Sequence, residues 1–137
     1  MLKLNICKDL GEAKQLWQRH WPQRCLFDLW PVRDCFQSEF NNSPYFLTAT
    51  QNGSVRGMMA LSWIEEEQYF GHFPGELWKG ETWLEQNKIL TDNPEVFRIL
   101  LDNVPKPAKI RYLLEDSCLI PETSGAVDEI GYLFYPG

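Results

Sequence analysis

The sequence predicts an α/β domain, more narrowly an α+β arrangement in which a mixed, mainly antiparallel sheet carries helices packed on it. Three observations lead there. Helix-period apolar spacing appears before Asn41 and again after Asn93. A central block from Tyr45 to Phe73 reads as extended strands around an Asn-Gly turn. The chain of 137 residues is 44% apolar and 14% aromatic, ample material for a core.

Taken in order, Leu2, Leu4 and Ile6 alternate with polar residues and predict a short first strand with one side toward the core. Asp9 followed by Glu12 resembles a capping box. Leu10, Ala13, Trp17 and Trp21 then recur at helical spacing until Pro22. A second helix starts near Trp30-Pro31, because proline suits a first helical turn. Val32, Cys35, Phe36 and Phe40 line one of its faces, and Asn41-Asn42-Ser43-Pro44 ends it.

From Tyr45 to Ile64 the pattern becomes extended, with Asn52-Gly53 as the two-residue turn of a hairpin. Glu65, Glu66 and Glu67 form a solvated connection to a third strand, QYFGHF, with Tyr69 and Phe73 apolar. The stretch from Phe73 to Leu90 has no clean period, and Gly75 and Gly80 interrupt any helix in its first half; it is expected at the edge of the sheet. Asn93-Pro94 caps a third helix carrying Val96, Phe97, Leu100, Leu101 and Val104, ended by Pro105 and Pro107. Two further strands, Ile110 to Leu114 and Ile130 to Tyr135, flank a loop from Ser117 to Asp128. No repeat or long linker divides the chain, so residues 1–137 are read as one domain.

Composition narrows the partners. A net charge of −6, with the 13 basic residues scattered, opposes a general affinity for nucleic-acid phosphates. The amino terminus turns charged before an export signal could form, and no long apolar run appears, so the expected location is the cytoplasm, without a membrane partner. Cys7, Cys25, Cys35 and Cys118 are irregularly spaced and read as free thiols.

Motifs that carry chemistry are sparse. Neither GxGxxG nor GxxxxGK[ST] offers a phosphate-cradling turn, and no G-x-S-x-G exposes a nucleophile, which leaves Ser62 a structural strand residue. His20 and His72 have no ligand-spaced neighbours and read as surface or half-buried histidines rather than metal ligands or bases. No catalytic residue, cofactor or metal is therefore assigned. Candidate substrate or interface residues lie in the aperiodic stretch: Glu76, Trp78, Trp83, Glu85 and Asn87 set polar groups among large aromatics, a mixture suited to a binding groove or domain interface. The same residues also fit a plainer role, with Trp78 and Trp83 closing the sheet's end.

The segments CLFDLWPVRDCFQSEF, PYFLTATQNGSVRGMMALSWI and FPGELWKGETWLEQNKI, with the order strand, two helices, three strands, helix, strand, resemble the amino-terminal half of tandem GNAT proteins related to the Fem-type aminoacyltransferases. The resemblance implies a GNAT-like fold and a non-catalytic half that serves acceptor binding or domain packing. It also implies a carboxy-terminal acyltransferase domain as partner, and a small-molecule or peptide amine as acceptor. Acyl-CoA or another donor would be held by the parent protein and not by this chain. The [RQ]-x-x-G-x-[GA] signature of acetyl-CoA-binding GNAT domains is replaced by FPGELWKGETW. The apolar ending GYLFYPG suggests that the natural protein continues. The alternative reading is a free-standing binding or scaffold domain of GNAT-like shape without acyl chemistry.

Overall fold

The computed structural model describes residues 2–75, 87–91 and 93–110, together with the backbone of 77–78 and 81–82. The elements run β1 (Lys3–Cys7), α1 (Leu10–His20), a 3-10 turn (Leu26–Asp28), α2 (Trp30–Phe40), β2 (Ser43–Gln51), β3 (Ser54–Ile64), β4 (Tyr69–His72), β5 (Leu77–Trp78), β6 (Glu81–Thr82) and α3 (Pro94–Asp102). The expected strands Ile110 to Leu114 and Ile130 to Tyr135 lie outside the described residues, apart from Ile110 itself.

β1 to β4 form one antiparallel sheet in the order β1-β2-β3-β4, and β5 and β6 pair separately. The central hairpin turns at Asn52 and Gly53, with φ of 53° and 80°. Positive φ at both positions is the geometry of a type I′ turn, which asparagine and glycine tolerate better than other residues. Asp9 caps α1 by accepting from the Glu12 amide at 2.9 Å. Asn93 caps α3 by accepting from the amides of Glu95 and Val96. Asn41, at φ 54°, ends α2 in the left-handed conformation.

Helices cover both faces of the sheet. On one face Ala13 and Trp17 of α1, Trp21 at its C-cap and Trp30 of α2 meet Phe46, Met58, Ala60 and Phe73. On the other, Val96, Phe97 and Leu100 of α3 meet Leu47, Ala49, Met59 and Leu61. The odd and even residues of β2 and β3 thus feed two different cores, the expected result for central strands buried on both sides. Gly57 lets α3 approach β3 closely: a Cβ there would lie 2.8 Å from Val96 Cγ1 and 3.1 Å from the Leu90 carbonyl oxygen.

Three expectations need correction. The buried residues of α2 are Trp30, Arg33 and Gln37, while Cys35 is exposed and Val32, Phe36 and Phe40 are half-buried. Arg33 turns inward, where its Nε and Nη1 donate to the carbonyls of Phe27 and Phe73 and to Asn87 Oδ1. His72 is 1% exposed rather than at or near the surface. Ile6 is 54% exposed, because it sits on the edge strand beyond the reach of α3, which packs on β3 and β2; Cys7 turns inward instead. The glutamates from Glu65 to Glu67 are exposed in a turn, as the sequence indicates.

Candidate functional site

The aperiodic stretch leaves the sheet and returns to it at one edge. After β4, the Phe73 amide donates to the Ala60 carbonyl at 2.9 Å. The chain then departs, pairs briefly through β5 and β6, and comes back so that Met58 and Leu90 exchange amide–carbonyl bonds of 2.8 and 2.9 Å. Both roots of the excursion are therefore bonded to β3. α3 follows, and beyond it Ala108 bridges Phe70 in parallel: the Phe70 amide donates to Pro107 and the Lys109 amide to Phe70.

Of the candidate residues, Asn87 is fully described. It is 0% exposed, and its Oδ1 accepts from Arg33 Nη1 at 2.8 Å. Trp78 is described through its backbone, paired with Glu81. Glu76, Trp83 and Glu85 lie outside the described residues. The structure thus brings Asn87 to α2 and assigns no meeting of the other four.

Sequence reasoning passed over the residue at the centre. Arg33, fully buried, donates from Nε to the Phe27 carbonyl at 2.7 Å and from Nη1 to the Phe73 carbonyl at 3.0 Å. Its guanidinium carbon sits 5.4 Å from the centre of the Trp17 ring, an attractive cation–π placement inside the core. The signal was present in the helix period: Arg33 and Gln37 follow Trp30 by three and seven positions and so share its face.

Further polar groups gather on the same side of the sheet. The indoles of Trp17 and Trp21 both donate to Asp28, one to its carbonyl at 2.7 Å and one to its carboxylate at 3.2 Å. The Asp28 carboxylate also receives the Arg24 amide at 3.0 Å. His72 packs edge-on against both indoles, with Nδ1 3.1 Å from the Phe73 carbonyl oxygen and Nε2 3.2 Å from that of Lys88. Burial, reinforced by the nearby Arg33 charge, lowers the His72 pKa to about 3, against the pull of those two carbonyls. At neutral pH the ring is uncharged and donates from one nitrogen. It is a packed core group and not an accessible base. Ser62 is buried in β3, and among the described residues neither its Oγ nor Gln37 Oε1 has a hydrogen-bond partner. Each such group costs the fold about 1–3 kcal/mol.

Cys7, Cys25 and Cys35 are free thiols; Cys118 lies outside the described residues. Burial raises the Cys7 pKa, a backbone hydrogen bond at Asp9 opposes the shift, and the charges of Glu12 and Asp9 add to it. Among the described residues no group of His, Cys, Asp and Glu is arranged to hold a metal ion, and no helix is long and apolar enough to cross a membrane. The described polar side chains of this region point inward, so what they can do is position main chain. No family model, curated protein or solved structure matches the chain.

Proposed function

We propose that this chain is the amino-terminal, non-catalytic half of a GNAT-superfamily N-acyltransferase. The observation that carries this reading is the order of elements through α3: a first strand, two helices on one face, an antiparallel β2-β3-β4 meander, and a helix on the opposite face. The parallel bridge that returns the chain to β4 after α3 supports it further. In this reading the stretch from Phe73 to Leu90 forms a wall of the acceptor cleft or a packing face for a carboxy-terminal half.

The acyl donor, acyl-CoA or another activated acyl group, belongs to that second half. An acceptor amine, on a small molecule or a peptide, attacks the acyl carbonyl there, and the amide forms as the bond to the donor's carrier breaks and the amine proton passes to the released carrier or to solvent. The contribution of the present chain is to hold the acceptor or its neighbouring domain in place, a matter of orientation rather than of proton transfer. Asn87 acts from behind the wall, through Arg33, and not by touching the acceptor.

The inward commitment of Asn87 also favours the second reading, a free-standing binding or scaffold domain. One determination separates them. The coding frame beyond Gly137 is expected to continue into a second acyltransferase-like half, and a stop codon directly after Gly137 would overturn the tandem reading. Calorimetric titration of the 137-residue chain with acetyl-CoA adds a second check. The expected result is no binding, and a dissociation constant in the low micromolar range, a free energy of about −8 kcal/mol, would show that this half holds the donor itself.

A further inference from the structure

The two roots of the excursion are far apart in sequence, yet one nitrogen atom serves both. Arg33 Nη1 donates to the Phe73 carbonyl at 3.0 Å and to Asn87 Oδ1 at 2.8 Å. The same guanidinium is fixed from its other side by the Phe27 carbonyl on Nε and by the Trp17 ring beneath it. Because one nitrogen of a rigid planar group reaches both acceptors, the position of each root is tied to that of the other.

We infer that Arg33 is a conformational clamp, which couples the two roots of the segment between Phe73 and Asn87 so that loosening one loosens the other while the sheet stays folded. The inference is independent of the acyl-transfer reading. Each root also carries a reporter bonded directly to β3, the Phe73 amide on Ala60 and the Leu90 amide on Met58. Those hydrogen bonds do not involve Arg33, so a common response in them reads the coupling and not the loss of the clamp's own bonds.

The test is residue-resolved amide hydrogen exchange on the full chain. Asn87→Ala removes one acceptor at the second root. Exchange at both Leu90 and Phe73 is expected to accelerate by about tenfold or more, while the Phe97 amide of α3 and the Trp21 amide closing α1 keep their protection. Arg33→Lys, which keeps the charge and loses the fork, is expected to give the same paired response with a larger amplitude. Acceleration confined to Leu90 would overturn the inference, since the roots would then move independently. An equal loss of protection at Phe97 and Trp21 would overturn it too, since Asn87 would then support the whole core. An unchanged Leu90 and Phe73 would show that the hydrogen bond holds neither root. If Arg33→Lys does not fold, the Asn87→Ala comparison stands alone and decides the matter.

Discussion

The two faces of the sheet are built by different physics from alternate residues of the same strands. Under α3 the fully buried apolar residues are aliphatic apart from Phe97: Leu47, Ala49, Met59, Leu61, Ile89, Val96 and Leu100, with Tyr45 half-buried against them. Under α1 and α2 the core is aromatic and threaded with polar groups, with Trp17, Trp21, Trp30 and Phe73 around Arg33, Asp28 and His72. The first face gains stability in proportion to apolar area and responds smoothly to change. The second depends on a few directional contacts, each costly to leave unmade.

This difference can be broken at its most exposed point by Arg33→Met. The substitution leaves the carbonyls of Phe27 and Phe73 and Oδ1 of Asn87 without the donor they now share, and a loss of about 4 kcal/mol is expected. On the aliphatic face, Leu100→Ala at a fully buried site is expected to cost about 3 kcal/mol by the cavity it opens. Urea unfolding of the two variants ranks them. A larger loss for Leu100→Ala would mean that the polar contacts contribute less than the apolar packing opposite.

Acid sharpens the same contrast. The folded-state pKa of His72 lies at about 3, below the ordinary 6.5, so its share of stability is complete above pH 6.5. As pH falls, the unfolded chain takes up a proton that the folded chain refuses, and stability drops by about 1.4 kcal/mol per pH unit until the folded pKa is reached. Between pH 6.5 and 5 the expected loss is therefore about 2 kcal/mol. Denaturant midpoints across that interval check it, and His72→Gln should flatten the slope. A slope unchanged in the variant would mean that other groups carry the acid sensitivity.

Gly57→Ala probes the opposite face by crowding rather than by charge. The new methyl group would press on Val96 and on the Leu90 carbonyl, and a cost of about 2 kcal/mol is expected, read from a shift in thermal midpoint with no change in acid slope.

What could be read from the sequence follows the same division. The α3 face was legible because its signals are local: Asn93-Pro94 starts the helix, Val96, Phe97 and Leu100 mark its stripe, and Asn52-Gly53 sets the hairpin that presents Leu47 and Met59 to it. The α2 face was read the wrong way round. Val32, Cys35, Phe36 and Phe40 make an apolar row, and nothing near them in sequence says that Arg33 will find a carbonyl at Phe73 and an amide oxygen at Asn87. A charged residue looks solvent-bound until its distant partners are known. The same holds for His72, whose ring is covered by Trp17 of α1 and Trp21 at its C-cap. Of the candidate site, the two ends of the aperiodic stretch bond β3, while Glu76, Trp83 and Glu85 lie outside the described residues. Asn87 was legible as part of that stretch but not as an inward residue, because its place depends on α2.

The stacking of Trp17 on Trp21, with ring centroids 4.1 Å apart and planes 12° from parallel, has an optical consequence. Two indoles at that distance exchange excitation, and their coupled transitions, strongest in the far ultraviolet, give a dichroism that neither ring has alone. Trp30 lies close by on the same side, its ring centre 6.1 Å from that of Trp17. The stacked pair therefore contributes a spectroscopic signal from one of the two faces. Loosening the layer where Arg33 is held will separate the two rings and remove that contribution, so its loss ahead of the helix signal will mark this layer as the first to open.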